Sequence, residues 1–102
     1  MFDRHFAAGQ HVEAGQLAGY IRSLDKLDDA FLNLIKKRTN LIDIVILNKN
    51  FKKDIIDKKR IKFILKKIHQ KSLKKKIDPK ITKKIWTYMI KAYIEYEFRN
   101  FK

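Results

Sequence analysis

Between residues 20 and 48 the chain has neither glycine nor proline, and its apolar residues recur at helical spacing: Leu24, Leu27, Phe31, Leu34, Leu41 and Val45. With about 3.6 residues per turn, such intervals keep these side chains on one face of an α-helix. The spacing predicts a single helix on the order of 40 Å long, at about 1.5 Å per residue. A helix of that length outruns any shorter segments that fold back on it once, and a monomer would leave apolar surface bare. An intertwined homodimer, with long helix packed on long helix, covers it. The expected fold is therefore all-α: a three-helix protomer with one long N-terminal helix, paired with a second copy.

Local signals place the other two helices. Residues 50–56 read as a short polar connection. Asp57 is a suitable N-cap for a second helix that buries Ile61, Ile64, Leu65 and Ile68, and the basic run at 71–76 ends it. Asp78 followed by Pro79 marks the next start, an N-cap aspartate with proline at the first helical position. The third helix continues to the C-terminus through Ile81, Ile85, Trp86, Met89, Ile90, Tyr93 and Ile94. No stretch alternates with period two for long enough to make a strand.

Composition narrows the function classes. Cysteine is absent, which excludes disulfides, thiolate catalysis and cysteine-based metal sites. His5, His11 and His69 are too isolated to read as metal ligands. No stretch approaches the length of a membrane span, and the chain reads as soluble and cytoplasmic. A net charge of +14 invites a nucleic-acid partner, but 20 of the 25 basic residues are lysines scattered over several faces. Arginine, whose planar fork suits phosphates and guanine edges, occurs only five times. Isoleucine, lysine and asparagine are enriched together, as in chains from A/T-rich genomes. A solvated lysine coat is the better reading, and no nucleic-acid or membrane partner is expected.

The composition also shifts near residue 25. All three glycines fall within the first 20 residues, and the first lysine is Lys26. Residues 1–25 carry a net −1 and the rest carry +15. Residues 1–19 are accordingly expected to be a loosely ordered leader or a stretch of different origin, and residues 20–102 the folded domain.

Arg38 breaks the apolar stripe. Leu27, Phe31, Leu34, Ile42 and Val45 all fall within roughly 40° of it on a helical wheel, and Lys49 lies eleven residues further along the same line. Near the C-terminus, Glu97 lies on the stripe of Trp86, Ile90, Tyr93 and Ile94. An inward charge is costly unless an opposite charge meets it. Two helices each turning a charge inward imply an enclosed, mainly cationic pocket for a small anion. Taken alone, Arg38 could instead pair with a buried acid such as Asp28 or Glu97. Lys49 and Arg60 could be surface charges, Asp57 and Asp78 plain helix caps, and Trp86, Met89 and Tyr93 core.

The ordered motifs LDKLDDAFLNLIKKR, LNKN, DKKR and IDPKITKKIWTYMIKAYIEYE, over residues 21–101, resemble the all-helical chorismate mutase family. The C-terminal pattern is similar to its small single-domain branch, which includes isochorismate-pyruvate lyases. The resemblance implies an isomerase that converts chorismate, a dicarboxylate, to prephenate by a Claisen rearrangement in a homodimer, with no cofactor or metal. Such an enzyme holds the reactive conformer and stabilises charge growing on the ether oxygen. By position, Arg38 matches the arginine that grips a substrate carboxylate, and Lys49 the lysine at the ether oxygen and the other carboxylate. Asp57 matches a loop aspartate near the substrate hydroxyl, and Arg60 the arginine opening helix two. Glu97 falls where many members have glutamine and some glutamate. A carboxylate cannot donate a hydrogen bond, so Glu97 must be protonated to help the ether oxygen.

Three positions depart from the family pattern. The arginine expected to cross into the partner's site falls at Ile21, with Arg22 beside it, and one residue turns a side chain by about 100°. Ile61 stands where a glutamate often follows the helix-two arginine, and Tyr93 replaces a small polar residue. The last two lean towards the lyase, which eliminates pyruvate from isochorismate to leave salicylate. The resemblance therefore implies a mutase first, then a lyase, then a catalytically weak binding protein on the same fold.

Overall fold

The computed structural model describes residues 11–102, and three helices account for most of them. α1 spans Ala14–Leu47, α2 Lys58–Lys74 and α3 Pro79–Asn100, with a 3₁₀ turn at Lys52–Asp54 between the first two. There is no strand among the described residues. They divide into two compact units, one of Ile42–Lys102 and one that ends at Leu41.

α1 starts earlier than its glycine-free run suggested. Its first turns take in Gly15 and Gly19, because Ala14, Gln16, Leu17 and Ala18 around them are good or neutral helix formers. The expected leader thus contributes a helical turn and a half, and its first ten residues, with His5, lie outside the described ones. In the unit that ends at Leu41, the large apolar side chains of α1 stay open to solvent. Leu24, Leu27, Phe31 and Leu34 are each more than half exposed, as are Leu17 and Tyr20. Their spacing of three and four puts them on one stripe, the pattern of a helix–helix seam.

The second unit is built on α2 packed against α3. Asp57 caps α2 by accepting from the Arg60 N–H at 3.0 Å, and Asp78 caps α3 by accepting from the Lys80 N–H at 2.9 Å, with Pro79 in the first turn. Both starts fall where the sequence placed them. α2 ends in a Schellman arrangement: the Ile77 N–H reaches the Ser72 carbonyl at 2.9 Å and the Lys76 N–H the Leu73 carbonyl at 3.1 Å. This geometry needs a left-handed residue, and Lys76 supplies it at φ 58°.

Where α2 meets α3, Ser72 and Thr82 are buried with their hydroxyl oxygens 2.7 Å apart. Ser72 Oγ also lies 2.6 Å from the Ile68 carbonyl. The serine proton goes to that carbonyl, so Thr82 donates to Ser72. Ile61, Ile64, Leu65 and Ile68 are half-buried as expected, and Ser72 continues their face. On α3, Trp86, Met89, Ile90, Tyr93 and Ile94 are half-buried, whereas Ile81 and Ile85 point outward because Thr82 takes the inner position of the first turn. Ile46 and Ile55 are the buried apolar residues among those described, and Ile55 pins the connection after the 3₁₀ turn.

Candidate active site

α1 ends at Leu47, and Lys49 follows in a turn held by its own N–H, which donates to the Ile46 carbonyl at 3.1 Å. The helix terminates where the polar run Asn48, Lys49 and Asn50 begins, and the Asn48 side chain donates back to the Ile44 carbonyl at 2.8 Å. This end cap turns the Lys49 side chain towards α3. Its ammonium meets Glu97 Oε1 at 2.9 Å.

Glu97 sits in the last turn of α3 and is only 6 % exposed, on the stripe of Trp86, Ile90 and Tyr93. A carboxylate so placed needs a counter-charge, and Lys49 provides it. The Lys49 side chain keeps 21 % of its surface open, and an ammonium has three donors, so two remain for a ligand. Beside the pair opens a cavity of about 340 Å³ lined by Asp43, Ile46, Leu47, Lys49, Tyr96, Asn100 and Lys102.

Tyr96, next to Glu97, donates its phenolic proton to Asp43 Oδ1 at 2.6 Å. That hydrogen bond to a carboxylate raises the phenol above its ordinary value, with burial and the Asp43 charge adding to the effect and Arg99 opposing it. The Tyr93 ring meets the Tyr96 ring edge-on, centroids 6.3 Å apart at 86°. Sequence reasoning missed Asp43 and Tyr96. The available signal was Asp43 itself, the one polar residue in the apolar run 41–47.

The structure thus brings Lys49 and Glu97 together and sets Tyr93 in the adjoining turn of α3. Asp57 is committed to capping α2 through the Arg60 backbone. The Arg60 guanidinium is exposed and lies 5.5 Å from the ring centroid of Phe63, and Ile61 is half-buried on α2. In the other unit, Arg38 is half-buried on α1, which departs from an ordinary surface arginine, while Ile21 and Arg22 are both exposed.

The chorismate mutase type II family model matches residues 20–98. The chain belongs to that family. The match starts at Tyr20 and ends one residue past Glu97, so it takes in every candidate site residue. No curated protein and no solved structure matches the chain. As a chorismate mutase it is an isomerase that binds chorismate and serves aromatic amino-acid biosynthesis, and its all-helical fold agrees. No helix among the described residues is long and apolar enough to cross a membrane.

Proposed function

We propose that the conversion of chorismate to prephenate is carried out by Arg38, Lys49 and Glu97, with Arg22, Asp57, Arg60, Ile61 and Tyr93 shaping the substrate's surroundings. The reaction breaks the ether C–O bond as a C–C bond forms in the same molecule, and no atom leaves. The protein's task is to bind the folded dicarboxylate and meet the charge that grows on the ether oxygen. Arg38 holds a carboxylate, a fit for a planar guanidinium fork. The Lys49 ammonium, already aimed by Glu97, has donors left for the ether oxygen. Glu97 adds a further donor once it takes up a proton. The observation that supports this reading is the 2.9 Å contact between Lys49 and the buried Glu97, two positions that the sequence resemblance assigns to the ether oxygen.

The stripe Leu24, Leu27, Phe31 and Leu34 on α1 supports a homodimer, since a solvent-facing seam of this spacing is covered best by a second copy of the same helix. Arg22, in the first half of α1, is then the candidate for the cross-dimer arginine. A chain free of cysteine suits a reducing compartment, and we place it in the cytoplasm.

Incubation with chorismate, followed by NMR, should give prephenate, and a chain that leaves chorismate untouched removes the proposal. Isochorismate belongs in a parallel reaction, because Ile61 and Tyr93 favour the lyase as a second reading. Salicylate and pyruvate formed at the higher kcat/KM would put that reading first. Sedimentation should give twice the chain mass of 12.3 kDa, and a monomer at assay concentration would refute the dimer.

A further inference from the structure

Two side-chain bonds join the end of α1 to the last turns of α3. One is the Lys49–Glu97 contact at 2.9 Å, and the other is the Tyr96–Asp43 hydrogen bond at 2.6 Å. Tyr96 immediately precedes Glu97, and Asp43 stands six residues before Lys49. The two bonds differ in stiffness. Lys49 reaches out on a flexible four-carbon stem from a turn beyond the helix, so its ammonium can follow Glu97 through a range of positions. Tyrosine has two side-chain torsions and a rigid ring, and the Tyr93 ring edge braces it. Asp43 also issues from within α1, where the backbone is fixed by helical hydrogen bonds.

Glu97 needs such a brace. It lies three residues from the end of α3 at Asn100, in the part of a helix that frays. The placement of Asp43 is otherwise unexplained, since a carboxylate in an apolar run loses hydration unless a donor replaces it.

We infer that Tyr96 and Asp43 are positioning residues for the mutase reaction: their hydrogen bond holds the last turn of α3 against the end of α1, so that Glu97 meets Lys49 at hydrogen-bond distance. Neither residue acts on the substrate. The inference rests on the assignment of Lys49 and Glu97 to the reacting centre.

Steady-state kinetics of Y96F, D43N, D43L and the Y96F/D43L double variant test it, each measured well below its own melting temperature. Y96F and D43L should each lower kcat about tenfold, the scale of a sub-ångström misplacement, with KM within about twofold of the parent. D43N should stay within about twofold of the parent in kcat, because the amide oxygen still accepts from the phenol. The double variant should fall no further than the worse single one, since both remove the same bond. Full kcat in Y96F, additive losses in the double variant, or a D43N as impaired as D43L would each overturn the inference. If D43L does not fold, Y96F and D43N decide it between them. K49A separates this from the underlying assignment: a K49A enzyme with parental kcat removes Lys49 from the reacting centre, whatever Tyr96 does.

Discussion

Lys49 and Glu97, 48 positions apart in the chain, meet at 2.9 Å with the carboxylate buried and the ammonium still partly open. The pair orients the lysine through a carboxylate that only accepts. On the proposed reading an amide at position 97 serves the ether oxygen better, because it keeps an oxygen for Lys49 and adds an N–H donor. Glu97→Gln should therefore match or exceed the parental kcat, whereas Glu97→Leu, which offers neither group, should lose about tenfold or more. A Glu97→Gln enzyme as impaired as Glu97→Leu would remove the role. Lys49→Ala, which on the proposed reading deletes the ether-oxygen donor, should lower kcat by about 10²–10³-fold, as loss of one preorganised donor does elsewhere.

The Tyr96–Asp43 bond makes stability depend on pH at the alkaline end. The folded phenol ionises above its ordinary value of 10.0. Its stabilising effect is complete below that value and is lost as pH rises through the folded one. Melting curves of the parent and Y96F should run at a constant offset up to about pH 9 and converge above it. Comparison with Y96F cancels the lysines that titrate in the same range. An offset that persists unchanged past the phenol's titration would contradict this.

Ser72 and Thr82 test the α2–α3 contact. With its own proton on the Ile68 carbonyl, Ser72 can only accept from Thr82. Ser72→Ala leaves a buried threonine hydroxyl whose alternative acceptor is the Pro79 carbonyl at 3.4 Å. It should cost about 1–3 kcal/mol by denaturant unfolding. Pairing it with Thr82→Val removes the stranded hydroxyl, so the double variant should lose less than the sum of the singles. Strict additivity would mean that the two hydroxyls do not interact.

Lys76 holds the left-handed position that closes α2, at φ 58°. Glycine adopts this conformation without a Cβ clash, and Lys76→Gly also removes one charge from the basic run 74–76. The variant should gain about 0.5–1 kcal/mol in unfolding free energy, with kcat unchanged. A loss of stability would show that the Lys76 side chain makes a contact worth more than the strain.

What could be read from the chain alone was what neighbouring residues decide between themselves. Asp57, Asp78 and Pro79 mark helix starts because a cap satisfies N–H groups two or three residues away. The long first helix was legible from apolar periodicity, and the inward placement of Glu97 from its position on the apolar stripe of α3. The earlier start at Ala14 was not legible, since two glycines weaken the local signal without abolishing the helix.

Tertiary structure alone settled which groups meet. Nothing in the order of residues says that Glu97 pairs with Lys49, that Tyr96 reaches Asp43, or that Thr82 rather than Ile81 turns inward to find Ser72. Each of these depends on the rotation and axial register of one helix against another. A turn of about 100° per residue makes a one-residue slip enough to send a side chain into solvent. Burial then makes the outcome exacting, because a carboxylate or hydroxyl taken from water must find its partner within about 3 Å.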